Sequence, residues 1–239
     1  MFISDVEFLS TDEYSIDKAR QENLLFELKE KNWTIIRFYI TYAENRLQLG
    51  NLEKENWLGR IINGKKVLFS TDMLEKKTTL TFGADVASGI ISILGKEETL
   101  GETYHITQEL VSTWKEIWEM YKRFLTDYIR IEPEILFSDL ETYKTFFSNG
   151  KYQIQYDRLY NRVFDNSKIK KYIDVSNFKT PEEGIELSIK QFFNNNVKLL
   201  PFSWGQVARI DRITHDLYTL NQINGLNNKI KYYLRRMGI

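Results

Sequence analysis

Taken as a pattern of apolar and polar positions, the chain alternates segments of helical spacing with short apolar runs of strand length. Residues 13 to 31 read as an amphipathic helix, with Ala19, Leu24, Leu25 and Leu28 on its apolar side and Lys29, Glu30 and Lys31 closing it. Residues 33 to 40 read as a strand, because Thr34, Ile35, Ile36, Phe38, Tyr39 and Ile40 suit a parallel sheet covered on both faces. A second helix is expected from Glu53 to Asn63, carrying Trp57, Leu58, Ile61 and Ile62. It leads through the turn Asn63-Gly64 into the strand KKVLFS. After the strand TTLTF, Asp85 is placed to cap the helix VASGIISIL by accepting from its first-turn N–H groups.

The strand ETYHIT follows, and then a helix opened by Thr113 and Glu116 at capping-box spacing. Trp114, Ile117, Trp118, Tyr121 and Leu125 recur along it at helical intervals, which marks a core-facing stripe. Thr180, Pro181 and Glu183 open another helix, with proline at its first position. The tail is helical in pattern from Trp204 to Leu220. It ends in NNKIKYYLRRMGI, which holds four cations and no acid. That basic end either touches nucleic acid or a partner, or is a solvated run complementing a helix dipole, and the second is the commoner case.

Composition narrows the class. With 239 residues, 42% hydrophobic and 14% aromatic, the chain can bury one sizeable core or a core and a small subdomain. Thirty-three cations balance 33 acids, so no net field recruits nucleic acid or anionic lipid. The absence of cysteine excludes disulfides and thiolate chemistry, and His105 and His215 are too far apart in sequence to suggest a metal site. His105, inside an apolar strand, reads as structural. No apolar run reaches the roughly 20 residues that span a bilayer, and no leader pattern opens the chain, so a cytoplasmic address fits best.

The candidate chemistry sits near the start. Tyr14 and Lys18 are at i and i+4 of the first helix, so their side chains project together. An ammonium beside a phenol favours the phenolate, which suits the tyrosine to exchange a proton with a sugar hydroxyl. The lysine can also donate to a cofactor ribose. In a chain with 14 tyrosines, chance alone supplies roughly one such spacing, so context must carry the assignment. Farther on, Arg158, Arg162 and Lys168 in YDRLYNRVFDNSKIKK are suited either to charge-assisted contacts with a sugar-linked diphosphate or to an ordinary solvated surface.

The context is a family resemblance. YSIDKARQENLL, TIIRFYITYAENR, TLTFGADVASGIISIL and GETYHITQELVSTWKEIWEMY resemble the C-terminal two-thirds of an extended short-chain dehydrogenase/reductase. The type is the NAD-dependent epimerase/dehydratase that acts on nucleotide sugars. YDRLYNRVFDNSKI followed by FKTPEEGIELSIKQFF is similar to that family's late arginine and D-x-x-K segment, so the likeness covers about residues 1 to 195. It implies Tyr14 and Lys18 as the catalytic and cofactor-binding pair, and Ser4 as the hydroxyl completing a triad. It further implies NAD or NADP as cofactor, a nucleotide sugar as substrate, and an aspartate at position 85 on the border of the substrate cleft. The implied fold is α/β: the C-terminal part of a Rossmann-type doubly wound sheet, a smaller mixed substrate-binding subdomain, and a helical extension over residues 196 to 239.

One part of that pattern is missing. A dinucleotide fold opens with a glycine-rich turn that brings backbone N–H groups to the pyrophosphate, yet the first glycine is Gly50 and no G-x-G-x-x-G occurs. The expectations are therefore an enzyme without its front half, weak NAD binding by the isolated chain, and a homo-oligomer or an N-terminal fragment in trans. The alternative is a non-catalytic remnant serving as a binding or subunit-interaction module.

Overall fold

The computed structural model describes residues 5–195 and 199–238. A one-turn helix α1 (Val6–Leu9) precedes the helix α2 (Tyr14–Glu27), and the chain then runs through β1 (Ile35–Arg37), β2 (Ile40–Tyr42), β3 (Gln48–Leu49) and β4 (Leu52–Glu53). Next come α3 (Leu58–Ile62), β5 (Val67–Ser70), α4 (Thr71–Leu74), β6 (Lys77–Thr78), β7 (Leu80–Phe82), α5 (Gly83–Ile93), β8 (Thr103–His105) and β9 (Ser112–Thr113). The rest comprises α6 (Trp114–Ile129), β10 (Ile135–Ser138), α7 (Leu140–Phe146), α8 (Lys151–Gln153) continuing as a π-helical turn Ile154–Arg158, α9 (Pro181–Asn194), α10 (Trp204–Thr214) and α11 (Leu226–Met237).

Three strand pairs are parallel, β1 with β8, β2 with β7 and β5 with β10. Each joins segments separated by helices, which is how a parallel α/β architecture is wound. The strand expected over 33 to 40 is interrupted. Its first half pairs with β8 and its second with β7, and between them Phe38 is 50% exposed. The change of partner at this point explains why one apolar run makes two strands.

The core stripe of α6 is as the spacing implies. Trp114, Ile117, Trp118, Tyr121 and Leu125 are all buried, and the Trp57 and Tyr121 rings lie 4.4 Å apart. Both capping boxes form, Thr113 with Glu116 and Thr180 with Glu183.

Four local expectations change. The helix expected over 53 to 63 is confined to Leu58–Ile62, because Gly50, at φ 59°, turns the chain into a β3–β4 hairpin that absorbs Glu53. Asp85 does not cap α5: Phe82 occupies the cap position, and the Asp85 carboxylate accepts instead from the Lys179 backbone N–H at 2.8 Å. The first helix spans Tyr14–Glu27 rather than 13 to 31 and buries no residue. Leu24 is 65% exposed and Leu28 48%, so much of its apolar stripe faces outward. The tail helix stops at Thr214, where His215 takes a left-handed conformation, and the basic end forms the separate helix α11.

The tail is docked rather than detached. Ile210 joins the main core, while Trp204, Val207, Ala208, Tyr218, Ile223 and Tyr232 form a smaller cluster between α10 and α11. No described helix is long and apolar enough to cross a membrane.

Candidate functional site

Tyr14 is the first residue of α2, behind Glu13, whose carboxylate accepts from the Ser15 N–H at 2.8 Å and fixes where the helix starts. One turn on, the Lys18 ammonium lies 5.6 Å from the Tyr14 ring centroid and donates to Gln21 Oε1 at 3.0 Å. The two side chains therefore share one helix face, and the Tyr14 side of it is open to solvent, at 69% exposure. α2 is tied to β1 by Arg37, whose Nε donates to Glu22 Oε1 at 3.0 Å. The result is a phenol and an ammonium aimed outward from a helix that leads directly into a parallel strand. Ser4 lies outside the described residues.

The segment just before α2 is anchored by aromatic rings. Phe8 is buried against Tyr152, at 4.8 Å between centroids, and Tyr156, at 4.4 Å. Glu7 accepts from the Tyr152 hydroxyl at 2.9 Å, and Asp5 accepts both from the Phe8 N–H at 3.0 Å and from the Tyr156 hydroxyl. The Tyr156 hydroxyl holds the Asp5 carboxyl below the usual carboxylate range, and the Tyr152 hydroxyl and then Lys151 do the same for Glu7. Residues 5 to 8 are thus fastened to the 152–156 turn.

Two of the three expected substrate cations converge on that same turn. Arg158 is buried, donating Nε to the Gly50 carbonyl at 2.9 Å and Nη1 to the Tyr39 hydroxyl at 2.9 Å, and it pairs with Asp157. Arg162 donates Nε to Asp157 Oδ1 at 2.6 Å, and the Tyr39 hydroxyl donates to the same carboxylate at 2.8 Å. Lys168 stands apart, paired with Glu102 at 2.5 Å. The sequence reading omitted Tyr39 and Asp157. The signal for Asp157 was present, an acid immediately before Arg158 and five positions before Arg162. The part of Tyr39 rests on a contact across 118 residues, which no local pattern encodes.

His105 is half-buried, its ring edge-on to Phe164 at 5.4 Å, and burial first and Arg37 second push its imidazole below the ordinary value. Among the described residues, no group of three or more His, Cys, Asp or Glu converges to hold a metal ion.

The glycine-rich turn that fits the pyrophosphate is not among the 239 residues.

No family model and no curated protein sequence matches the chain. Its fold, however, is shared with solved nucleotide-sugar enzymes. A dTDP-glucose 4,6-dehydratase from Bacillus anthracis in complex with NAD superposes with a TM-score of 0.57 at 18% identity, over 80% of this chain and 54% of that one. An epimerase from Methanothermobacter thermautotrophicus gives 0.56 at 14% identity, over 76% and 48%. A UDP-glucuronic acid 4-epimerase from Bacillus cereus, in complex with UDP-glucuronic acid and NAD, gives 0.52 at 14%, over 70% and 46%. The fold is therefore Rossmann-type α/β, as the sequence resemblance implied, and the chain spans about half the length of the structures it matches.

Proposed function

We propose that these residues form the substrate-side half of an NAD-dependent enzyme of nucleotide-sugar metabolism, an epimerase or a dehydratase. Tyr14 exchanges a proton with a sugar hydroxyl, while Lys18 favours the phenolate and donates to the cofactor ribose. One observation carries this reading: a helix presenting Tyr14 and Lys18 on one face runs into β1, paired in parallel with β8, in a fold shared with a dehydratase solved with NAD. NAD or NADP, when bound, supplies the hydride acceptor and donor.

The chain's own residues bind and orient. Arg158, buried and bonded on three sides, is the positioning residue of the 157–162 turn. Arg162, one-third exposed, and Lys168 are the cations left with reach toward a diphosphate. The exposed Leu24, Phe26 and Leu28 of the α2 region are covered by a second copy or by a dinucleotide-binding segment supplied in trans. A cytoplasmic location accords with a cysteine-free chain.

A second reading, a non-catalytic binding or subunit-interaction module, is favoured by the internal bonding of Arg158 and Arg162.

The test joins the chain to a dinucleotide-binding half by fusion or co-expression. Tyr14→Phe should then abolish turnover with little change in substrate binding, whereas Lys18→Met should weaken cofactor binding as well as rate. If both variants keep wild-type turnover, the pair is a coincidence of spacing. If the assembled protein binds neither NAD nor a nucleotide sugar, the second reading stands.

A further inference from the structure

Away from α2 and the 157–162 turn, a cavity of about 430 Å³ opens between α10, α11 and the 148–149 loop. Arg209 comes to it from α10, and Lys231 and Arg235 come from α11. Ser148, Asn149 and Gln206 add polar groups, and among the described residues no carboxylate lines it. In a chain whose acids and bases balance, Arg209 and Lys231 at one cavity form a local field rather than a share of a general excess.

The cations are held there by packing. Arg209 donates to the Thr145 carbonyl at 3.3 Å and lies over the Phe146 ring, 5.8 Å from its centroid. Lys231 crosses the start of α10 at Gly205, where a Cβ would come within 3.0 Å of its Cε, so the glycine leaves room for the lysine stem. Among the described residues, no carboxylate forms an ion pair with Arg209 or Lys231. The basic run of the tail thus gains a specific direction. Its Lys231 and Arg235, though exposed, line a cavity shared with α10.

We propose that this cavity binds a small molecule through a phosphate or pyrophosphate group. A phosphate brings about two negative charges and three strong acceptor oxygens, which a planar guanidinium and a point-charge ammonium can receive together. The volume falls within the range of small-molecule sites, roughly 300–1,000 Å³, and leaves space for an organic body beside Phe146 and Asn149. The site is additional to the proposed Tyr14–Lys18 chemistry and does not depend on it, since no residue of α2 contributes.

The experiment is calorimetric titration of the 239-residue chain with pyrophosphate at low ionic strength, comparing wild type with Arg209→Gln, Lys231→Gln and the double variant. Each single change should weaken binding about tenfold and the double about a hundredfold. Lys18→Met should bind as wild type. Because both side chains are exposed, melting without ligand should be unchanged or slightly raised, which separates loss of the site from loss of the fold. No binding at millimolar pyrophosphate, or a double variant that binds like wild type, would overturn the proposal. So would a single-stranded RNA oligonucleotide binding more tightly than pyrophosphate, because the basic helix would then be a nucleic-acid surface.

Discussion

Arg60 and Asp211, 151 positions apart, form a fully buried ion pair, with Nη1 2.8 Å from Oδ1 and side-chain exposures of 3% and 0%. The pair sits inside a network. Arg60 Nε donates to the Lys66 carbonyl, Nη2 lies 3.1 Å from Asp216, and the Tyr232 hydroxyl donates to Asp211 Oδ2 at 2.5 Å and accepts from the Tyr218 N–H. Through these two residues α3, α10 and α11 become one piece, so the tail is fixed to the body that carries the candidate site.

Removing one member of a buried pair costs about 3–5 kcal/mol where the other is left uncompensated. Asp211→Ala should fall at or below the lower end of that range, because Arg60 keeps Asp216 at 3.1 Å, and the loss is read as a shift in the urea midpoint. Tyr232→Phe should lose about 2 kcal/mol, because two hydrogen bonds go, to Asp211 and from the Tyr218 N–H, while both charges stay paired. Limited proteolysis of Asp211→Ala should cut first in residues 199 to 238. An unchanged midpoint would mean that the tail is held by its apolar cluster alone.

The contrast between this network and the capping boxes shows what could be read from the chain alone. Thr113 with Glu116 and Thr180 with Glu183 close their bonds within one helical turn, so residue type and spacing suffice. The α6 stripe was legible for the same reason, one face recurring at the helical period. Arg60 and Asp211 carry no such mark, since each looks like a surface charge until a distant element covers it. The break between β1 and β2 was equally hidden, because partner exchange depends on β7 and β8, not on the apolar run itself. At the site, the Tyr14–Lys18 spacing was visible, but the fastening of residues 5 to 8 by Tyr152 and Tyr156 is tertiary throughout.

Asp85 yields a prediction in pH. Burial, its largest influence, raises its carboxyl above the ordinary value of 3.8. The bond from the Lys179 N–H and the Lys179 charge oppose this, and Glu183 adds to it. A carboxyl raised in the folded state binds more protons there than in the unfolded chain. The cost of keeping it charged is thus fully present above the folded value and disappears below about 3.8. Asp85→Asn retains an acceptor for Lys179 and carries no charge. It should be more stable than wild type at pH 7, with the difference closing as pH falls toward 4. A variant less stable by a constant amount at every pH would show that the charged hydrogen bond outweighs desolvation.

Gly184 tests how α9 is seated on β2, the contact that sets the Lys179–Asp85 bond beside it. A Cβ at position 184 would lie 2.0 Å from the Tyr42 hydroxyl oxygen and 2.9 Å from Cζ, and Tyr42 is 1% exposed, so the ring has nowhere to go. Overpacking of this kind costs about 1–3 kcal/mol, and Gly184→Ala should fall at or above the upper end because the obstacle is a rigid ring. Tyr42→Phe removes the oxygen and gives up only a long 3.4 Å bond to the Pro181 carbonyl. In a double-mutant cycle, Tyr42→Phe should therefore recover part of the loss from Gly184→Ala, and Tyr42→Leu, which removes the ring, should recover more. Additive effects in that cycle would mean that α9 shifts bodily away from β2. In that case the bond from Lys179 to Asp85 should loosen with it, seen as faster exchange of the Lys179 amide.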